Sequence, residues 1–368
     1  MKARRTWSDL FLLEALEKGR SKKFHNTVTT GNKKSRDSSF IEAAKFTNTW
    51  YLKHHLPYED AVPEVVAQEV FRLFIPNQPK TRLIEPDADN DKFGVMSKQV
   101  DGYQSVSEGA YHRFAENTAT GVYHGLGEVM VIALLVNETD LKFGNLGLDA
   151  NGQIIKIDGD RCFADMMFDD DILCADISEM DLQMLPKLHT YRTYNWLDFL
   201  TYENDETVKE DQDAPICTTL ADSALLRAEI NKALLKVYLM PDTVVDQFVG
   251  EYVDEDKLRD QLYTEITKRK NTLCEAALQN QSFRQYVLSA KSNKDFREYL
   301  DYLAAFHTTS KNTLNIADEK GAMVARLAAL KKDFKKQHVP ATFFSGNKKE
   351  ASAPVKLNSK KNNRQRGA

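Results

Sequence analysis

The sequence predicts a mixed α+β fold in two lobes: a small strand-rich N-terminal lobe, then a larger helical lobe with extra helices at its C-terminal end. Three observations carry this. Short β-prone runs separated by turn residues dominate residues 24–100, a charged hairpin pattern spans 145–157, and from about 221 to 306 the apolar residues recur at helical spacing.

Runs 24–30, 39–46 and 49–54 are broken by Gly31-Asn32-Lys33-Lys34 and Thr47-Asn48, turn chemistry that joins antiparallel strands. Pro63 precedes the helically spaced EVVAQEVFRLF of 64–74, and a proline fits the first turn of a helix because the N–H it lacks would be unpaired there anyway. Segments 81–85 and 93–100 (FGVMSKQV) read as two further strands, the second closed by Asp101-Gly102. The pattern turns helical over 109–136. Segments 145–148 and 153–157 then flank Asp149-Ala150-Asn151-Gly152, as the arms of a hairpin do. Amphipathic helices are expected over 222–239 and 253–278. Beyond Leu330 the chain mixes Lys, Asn, Ser, Gly and Pro with little periodicity and reads as a flexible basic tail. The expected division is an extension over 1–19, the strand-rich lobe over 20–100, the helical lobe over 101–306, and a C-terminal helix with basic tail over 307–368.

Composition narrows the functional classes. A hydrophobic fraction of 42% beside 28% charged residues is that of an ordinary folded domain. The longest apolar run, VMVIALLV at 129–136, falls far short of the ~20 residues that a membrane-crossing helix needs. Charges interrupt the N-terminal region, so no secretory signal is expected. Cys162, Cys174, Cys217 and Cys274 form no Cys-x-x-Cys pair and suit free thiols. The net charge of −4 hides segregation: residues 1–36 carry ten Lys/Arg against three Asp/Glu, and 331–368 carry eleven against two, which leaves 37–330 at −20. An acidic body with basic ends is expected to be a poor general nucleic-acid binder, whereas the ends suit phosphates or an anionic membrane.

Phosphoryl transfer from a nucleotide needs a base near the attacking group, metal ligands at the phosphates and a cation on the phosphates that stay behind. In Asp140-Leu141-Lys142-Phe143-Gly144-Asn145, Asp140 can orient a nucleophile's proton, Lys142 can neutralise the transferred phosphate and Asn145 can offer a carbonyl oxygen to Mg²⁺ or Mn²⁺. Asp158, just past the strand 153–157, can add a carboxylate to the same metal.

Asp-Leu-Lys-x-x-Asn followed at hairpin distance by Ile157-Asp158-Gly159-Asp160 resembles the catalytic loop and metal loop of the protein kinase superfamily. The resemblance implies a bilobal protein-kinase-like fold that binds ATP. Tyr51-Leu52-Lys53 then looks like the strand lysine, with Glu64 or else Glu69 as its ion-pair partner, and 93–100 with Met96 and Lys98 as the strand and hinge against the adenine. Trp50-Tyr51-Leu52-Lys53, Pro79-Lys80-Thr81-Arg82-Leu83, Met96-Ser97-Lys98 and Asp158-Gly159-Asp160 together resemble atypical effector kinases of Legionella, among which activation by inositol hexakisphosphate is known. That resemblance implies delivery by a non-classical route into a host cytoplasm, a host protein substrate, an inositol polyphosphate bound by Lys22, Lys23, Lys33, Lys34 and Arg36, and attachment to phosphoinositide or anionic membrane through the C-terminal region.

Three departures shape the expectation. The loop 31–39 (GNKKSRDSS) has one glycine where such kinases have three, so Ser35 and basic side chains must help with phosphate contacts. Glu138-Thr139 replaces the His-Arg that precedes the catalytic aspartate, removing the arginine that reads loop phosphorylation. Gly159 replaces phenylalanine, and no Ala-Pro-Glu follows. Lipid phosphorylation, AMP transfer and nucleotide sensing without turnover stay open as alternatives. Without the other motifs, 140–145 reads as a surface turn and Lys53 as an exposed strand lysine.

Overall fold

The computed structural model describes residues 5–6, 38–43, 48–86, 88, 91–106, 111–167, 177–187, 195–197, 219–308 and 316–337. The chain is a mixed α+β protein with a small strand-rich N-terminal part and a larger helical C-terminal part, as the sequence predicts. Strands β1 (Arg5–Thr6), β2 (Ser38–Ala43), β3 (Asn48–Leu56), β4 (Thr81–Glu85) and β5 (Phe93–Lys98) form one sheet in the order β1-β4-β5-β3-β2. All neighbours are antiparallel except β1 and β4.

Register decides what this sheet offers to each face. Leu52 pairs with Met96 and Lys53 with Val95. Side chains alternate across a strand, so Leu52 and Met96 share one face, where they form a small cluster with Ile84 and Trp50. Lys53 and Val95 share the other, which faces helix α1 (Tyr58–Phe74). The helix begins five residues before Pro63 rather than at it, so the proline sits in the second turn. It is buried on nearly every side, because the sheet covers one flank and the helical part the other.

After β6 (Gln104–Ser105), the stretch expected to be continuously helical over 109–136 splits into α2 (Tyr111–Thr120) and α3 (Leu126–Leu135). Gly121 and Gly125 break it, with φ of 81° and 94° that residues with a Cβ rarely adopt. Strand β7 (Asp140–Leu141) leads into a single 3₁₀ turn, Phe143–Asn145. The hairpin β8 (Leu146–Leu148) and β9 (Ile154–Lys156) follows as expected. Then come α4 (Ala164–Met167), α5 (Glu179–Met184) and β10 (Asn195–Trp196), which pairs in parallel with β7.

Helices α6 (Ala224–Leu239), α7 (Asp242–Tyr252), α8 (Asp256–Gln279), α9 (Gln281–Leu288), α10 (Ala290–Ala304) and α11 (Ala317–Gln337) complete the helical part. Gly127 lets α3 lie against α6, since a Cβ there would meet Ile230 N and Leu226 O at 2.8 Å. Glu229 accepts hydrogen bonds from the Gly125 and Gly127 N–H groups at 2.7 and 3.0 Å, which ties the α3 N-terminus to α6 and makes Gly125-x-Gly127 a packing feature. Helix α11 runs to Gln337, past the Leu330 boundary expected for the tail. Leu330 and Phe334 are buried, and Phe334 meets the Phe283 ring edge-on at 6.4 Å, which carries helical order into the lysine-rich segment.

Candidate active site

The strand lysine, the α1 glutamate and the aspartate after β9 converge on a cavity of about 220 Å³ lined by Lys53, Glu64, Gln68, Ser97, Lys98, Tyr103 and Asp158, among others. Lys53 projects from β3 and its Nζ lies 2.9 Å from Glu64 Oε1, 2.6 Å from Asp158 Oδ1 and 3.4 Å from Asp160 Oδ2. Burial lowers the Lys53 pKa, but the three carboxylates outweigh it and hold the ammonium charged. One cation facing three carboxylates leaves a surplus of acidic charge.

Of the two acidic residues left open on α1, Glu64 is the one that reaches Lys53. It is 3% exposed, and burial pushes its carboxyl up to about 7 against the pull of the lysine. Gln68, one turn on, donates to Glu64 Oε1 at 3.2 Å and accepts from the hydroxyls of Thr81 and Ser97 at 2.9 Å each, so a polar chain from β4 and β5 steers Glu64. Glu69 points elsewhere: it takes both Arg72 Nε and Nη2, the Thr81 N–H at 2.7 Å and the Tyr252 hydroxyl at 2.5 Å.

Asp158 follows β9 in the left-handed region, φ 65°, a conformation that costs a non-glycine residue about 1–3 kcal/mol and clusters at functional sites. Burial pushes its carboxyl up, but Lys53 and Lys156 together hold it down at about 2. Gly159 stands where α1 comes closest: a Cβ there would lie 3.0 Å from Gln68 Cγ and 3.3 Å from Glu64 O. The absence of a side chain at Gly159 thus makes room for a helix that passes directly over the loop.

Asp140 and Lys142 pair at 2.5 Å, and both Asp158 and Asp160 act on the charge of Lys142, which links the catalytic-type loop to the metal-type loop. Asn145 Nδ2 donates to Asp140 O at 2.9 Å and to Asp140 Oδ2 at 3.3 Å. With the amide nitrogen so committed, the side-chain oxygen is what Asn145 can offer to a cation. The Ile157 N–H donates to Asn145 O at 2.9 Å and sews the two loops together.

Among the described residues, no group of three or more His, Cys, Asp or Glu is arranged to hold a metal ion unaided. A magnesium-type ion at a nucleotide needs only one or two protein oxygens, the rest coming from phosphates and water. Asp158 and Asn145 fit that donor set.

Met96 lies on the outer face of the sheet and does not line the cavity, whereas Lys98 does. Alternation along β5 turns Met96 away, while Lys98, the last residue of β5, borders the cavity from the end of the strand. Ser97, next to Met96, takes the cavity position and bonds to Gln68. Ser35, Lys22, Lys23, Lys33, Lys34 and Arg36 lie outside the described residues, as do Asp169-Asp170-Asp171.

Two residues that sequence reasoning missed stand out. Tyr103, just before β6, lines the cavity and lies on Gly147 of β8, where a Cβ would come within 2.1 Å of its ring. Glycine at 147 is what makes room for that ring. Lys156, the charged residue in the otherwise apolar Ile154-Ile155-Lys156-Ile157, is buried beneath Asp158 and was a visible irregularity in a strand.

No protein-family model and no curated protein matches the chain. Among solved structures, it is similar to the crystal structure of a Helicobacter pylori proinflammatory kinase, CtkA, at 14% identity over 66% of this chain and 91% of that one, with a TM-score of 0.38. A likeness this loose carries no argument about chemistry, which rests on the side-chain geometry above.

Proposed function

We propose that the chain is an ATP- and divalent-metal-dependent phosphotransferase that moves the γ-phosphate to a protein hydroxyl. The observation that supports this most is the junction of Lys53 with Glu64 and Asp158 at a cavity whose adjoining loop presents Asp140, Lys142 and Asn145. In this reading Lys53 grips the phosphates that stay behind and Glu64 keeps its ammonium aimed. Asp158 and Asn145 would hold Mg²⁺ or Mn²⁺, which supplies charge neutralisation at the phosphate oxygens. Asp140 orients the acceptor hydroxyl and takes its proton, while Lys142 balances charge on the phosphoryl group in transit.

The basic ends suit anionic partners. Lys331, Lys332, Lys335 and Lys336 share one side of α11, and we propose that this side meets phosphoinositide or other anionic lipid in a host cell. The segment 18–36 is the proposed seat of an activating inositol hexakisphosphate.

Incubation with ATP labelled at either the α- or the γ-phosphate, Mn²⁺ and a host-cell lysate, read by mass spectrometry, tests the function. Label from the γ position on Ser, Thr or Tyr is expected. Label from the α position alone would mean AMP transfer, and nucleotide binding without either label would mean a sensor.

A further inference from the structure

Lys156 is 3% exposed, and its ammonium is wholly committed. It contacts Glu138 Oε2 at 2.6 Å, Ile157 O at 3.1 Å and the carbonyl oxygen of Asp158. Glu138 is buried too. Its Oε1 accepts the Asp140 N–H at 2.8 Å, and its Oε2 also accepts from the Cys162 thiol at 3.2 Å. Glu138 therefore holds the main chain of the residue proposed to orient the acceptor, while Lys156 holds the main chain of the residue proposed to bind metal. The two are joined to each other.

Neighbouring contacts reinforce this brace. The Lys156 N–H donates to Gln78 Oε1 at 2.9 Å, and the Thr139 N–H and hydroxyl both donate to Arg161 O, at 3.1 and 3.2 Å. Glu138-Thr139, which stands where related loops carry His-Arg, is thus engaged inside the molecule at both residues. A buried ion pair is costly to desolvate and is often replaceable by apolar side chains without loss of stability. A pair that also bonds the backbone on both sides of a reaction site, one of them a strained left-handed residue, has a different use.

Resting on the function proposed above, we infer that Lys156 and Glu138 form a buried brace that sets Asp140 and Asp158 relative to each other, with Lys156 a positioning residue for the metal–nucleotide site. The brace is built from the chain itself and needs no phosphorylated loop. A polyanionic activator would then act on the N-terminal strands rather than on these two loops.

The test compares wild type with E138Q, K156M and the double variant K156M/E138Q. Three quantities are read: the melting temperature, the affinity for Mn²⁺ with a non-hydrolysable ATP analogue by electron paramagnetic resonance, and kcat with KM for transfer. K156M alone strands the buried Glu138 and should melt well below wild type. The double variant removes both charges and should melt within a few degrees of wild type, yet bind Mn²⁺ with the analogue about tenfold more weakly. E138Q keeps Lys156 on the Asp158 carbonyl but removes its buried counter-charge, so it should melt below wild type while the nearby Asp158 carboxylate keeps it folded, lowering kcat about threefold or more with KM for ATP little changed.

A double variant that melts like wild type and binds Mn²⁺ with the analogue equally well would overturn the brace. If the double variant melts low, unchanged Mn²⁺ affinity and unchanged kcat in E138Q would overturn it instead. Wild-type protein that binds the metal and analogue but transfers nothing would refute the proposed function alone, because the affinity loss in the double variant would still be measurable.

Discussion

Replacing Glu64 with glutamine should make the nucleotide-free protein more stable at and above neutral pH while making it a worse enzyme. Glu64 is buried, and its carboxyl lies at about 7 in the folded chain against an ordinary 4.5. The folded state therefore holds this proton more tightly than the unfolded state does. The stabilisation is fully present below pH 4.5 and is lost as pH rises through about 7. A difference of about 2.5 pKa units at 1.36 kcal/mol each is worth roughly 3 kcal/mol. The glutamine side chain cannot ionise, and Lys53 keeps Asp158 at 2.6 Å as a counter-charge, so the Glu64→Gln variant should not show this loss. Melting of metal-free protein from pH 4.5 to 8.5, with urea titrations at both ends, measures it. The variant should match wild type near pH 4.5 and exceed it by up to about 3 kcal/mol at pH 8. ATP affinity in Mg²⁺ should fall about tenfold, because Lys53 would lose the partner that aims it. A variant less stable than wild type at pH 8 would refute the reasoning and make the Lys53–Glu64 pair net stabilising.

Asp158→Ala should abolish metal-dependent nucleotide binding, since Asn145 alone leaves triphosphate and metal charge unmatched; calorimetry giving unchanged affinity in saturating Mg²⁺ or Mn²⁺ would remove Asp158 from the metal site. Asp140→Ala should keep ATP affinity within about twofold and lower transfer by about 10²-fold or more, the range for loss of a positioned base, as measured by binding and turnover on the same preparation. Tyr103→Ala should weaken ATP about 5- to 150-fold with its ring as the platform for the base, as base–aromatic stacking of about 1–3 kcal/mol implies, whereas Tyr103→Phe should bind normally in the same fluorescence titration.

Much of this was legible because the relevant residues are tied to local patterns. The strand alternation around Lys53, the loop 140–145 and the acidic residue closing the hairpin each leave a signature within a few residues; the structure brings Lys53 and Asp158 to one cavity and ties the loop 140–145 to the Asp158 loop through Ile157 and Asn145. Other features depend on register and long-range packing. The Met96 side chain faces away from the cavity because β3 and β5 pair Leu52 with Met96, a register that a single strand does not encode. Glu64 and Glu69 are five residues apart on one helix, and choosing between them requires knowing that Tyr252, far along the chain, claims Glu69. Tyr103 carries no local signal at all, since its role depends on the missing side chain at Gly147 on another strand. Lys156 did carry one: a lysine inside a buried strand demands a partner, and Glu138 is that partner.

Helix α1 carries Glu64, the partner of Lys53, so whatever holds α1 sets the geometry of that pair. The strand lobe contributes the Thr81 and Ser97 contacts to Gln68, and the loop after β9 the close approach at Gly159, all on the flank nearest Glu64. The other flank is held by the far end of the chain. Arg72 binds Glu69, donates to His307 O at 2.8 Å and lies 4.1 Å from the centre of the Phe306 ring. Tyr302 donates to Arg72 O, Tyr252 to Glu69, and Lys236 to Phe74 O at 2.7 Å. Glu69 is fully buried, and a buried carboxylate stripped of its partners is strongly destabilising, so this flank is either fully assembled or strongly penalised. Phe306 and His307 follow α10, more than 230 positions beyond Arg72. The later helices are therefore part of what fixes α1, and with it the Lys53–Glu64 geometry.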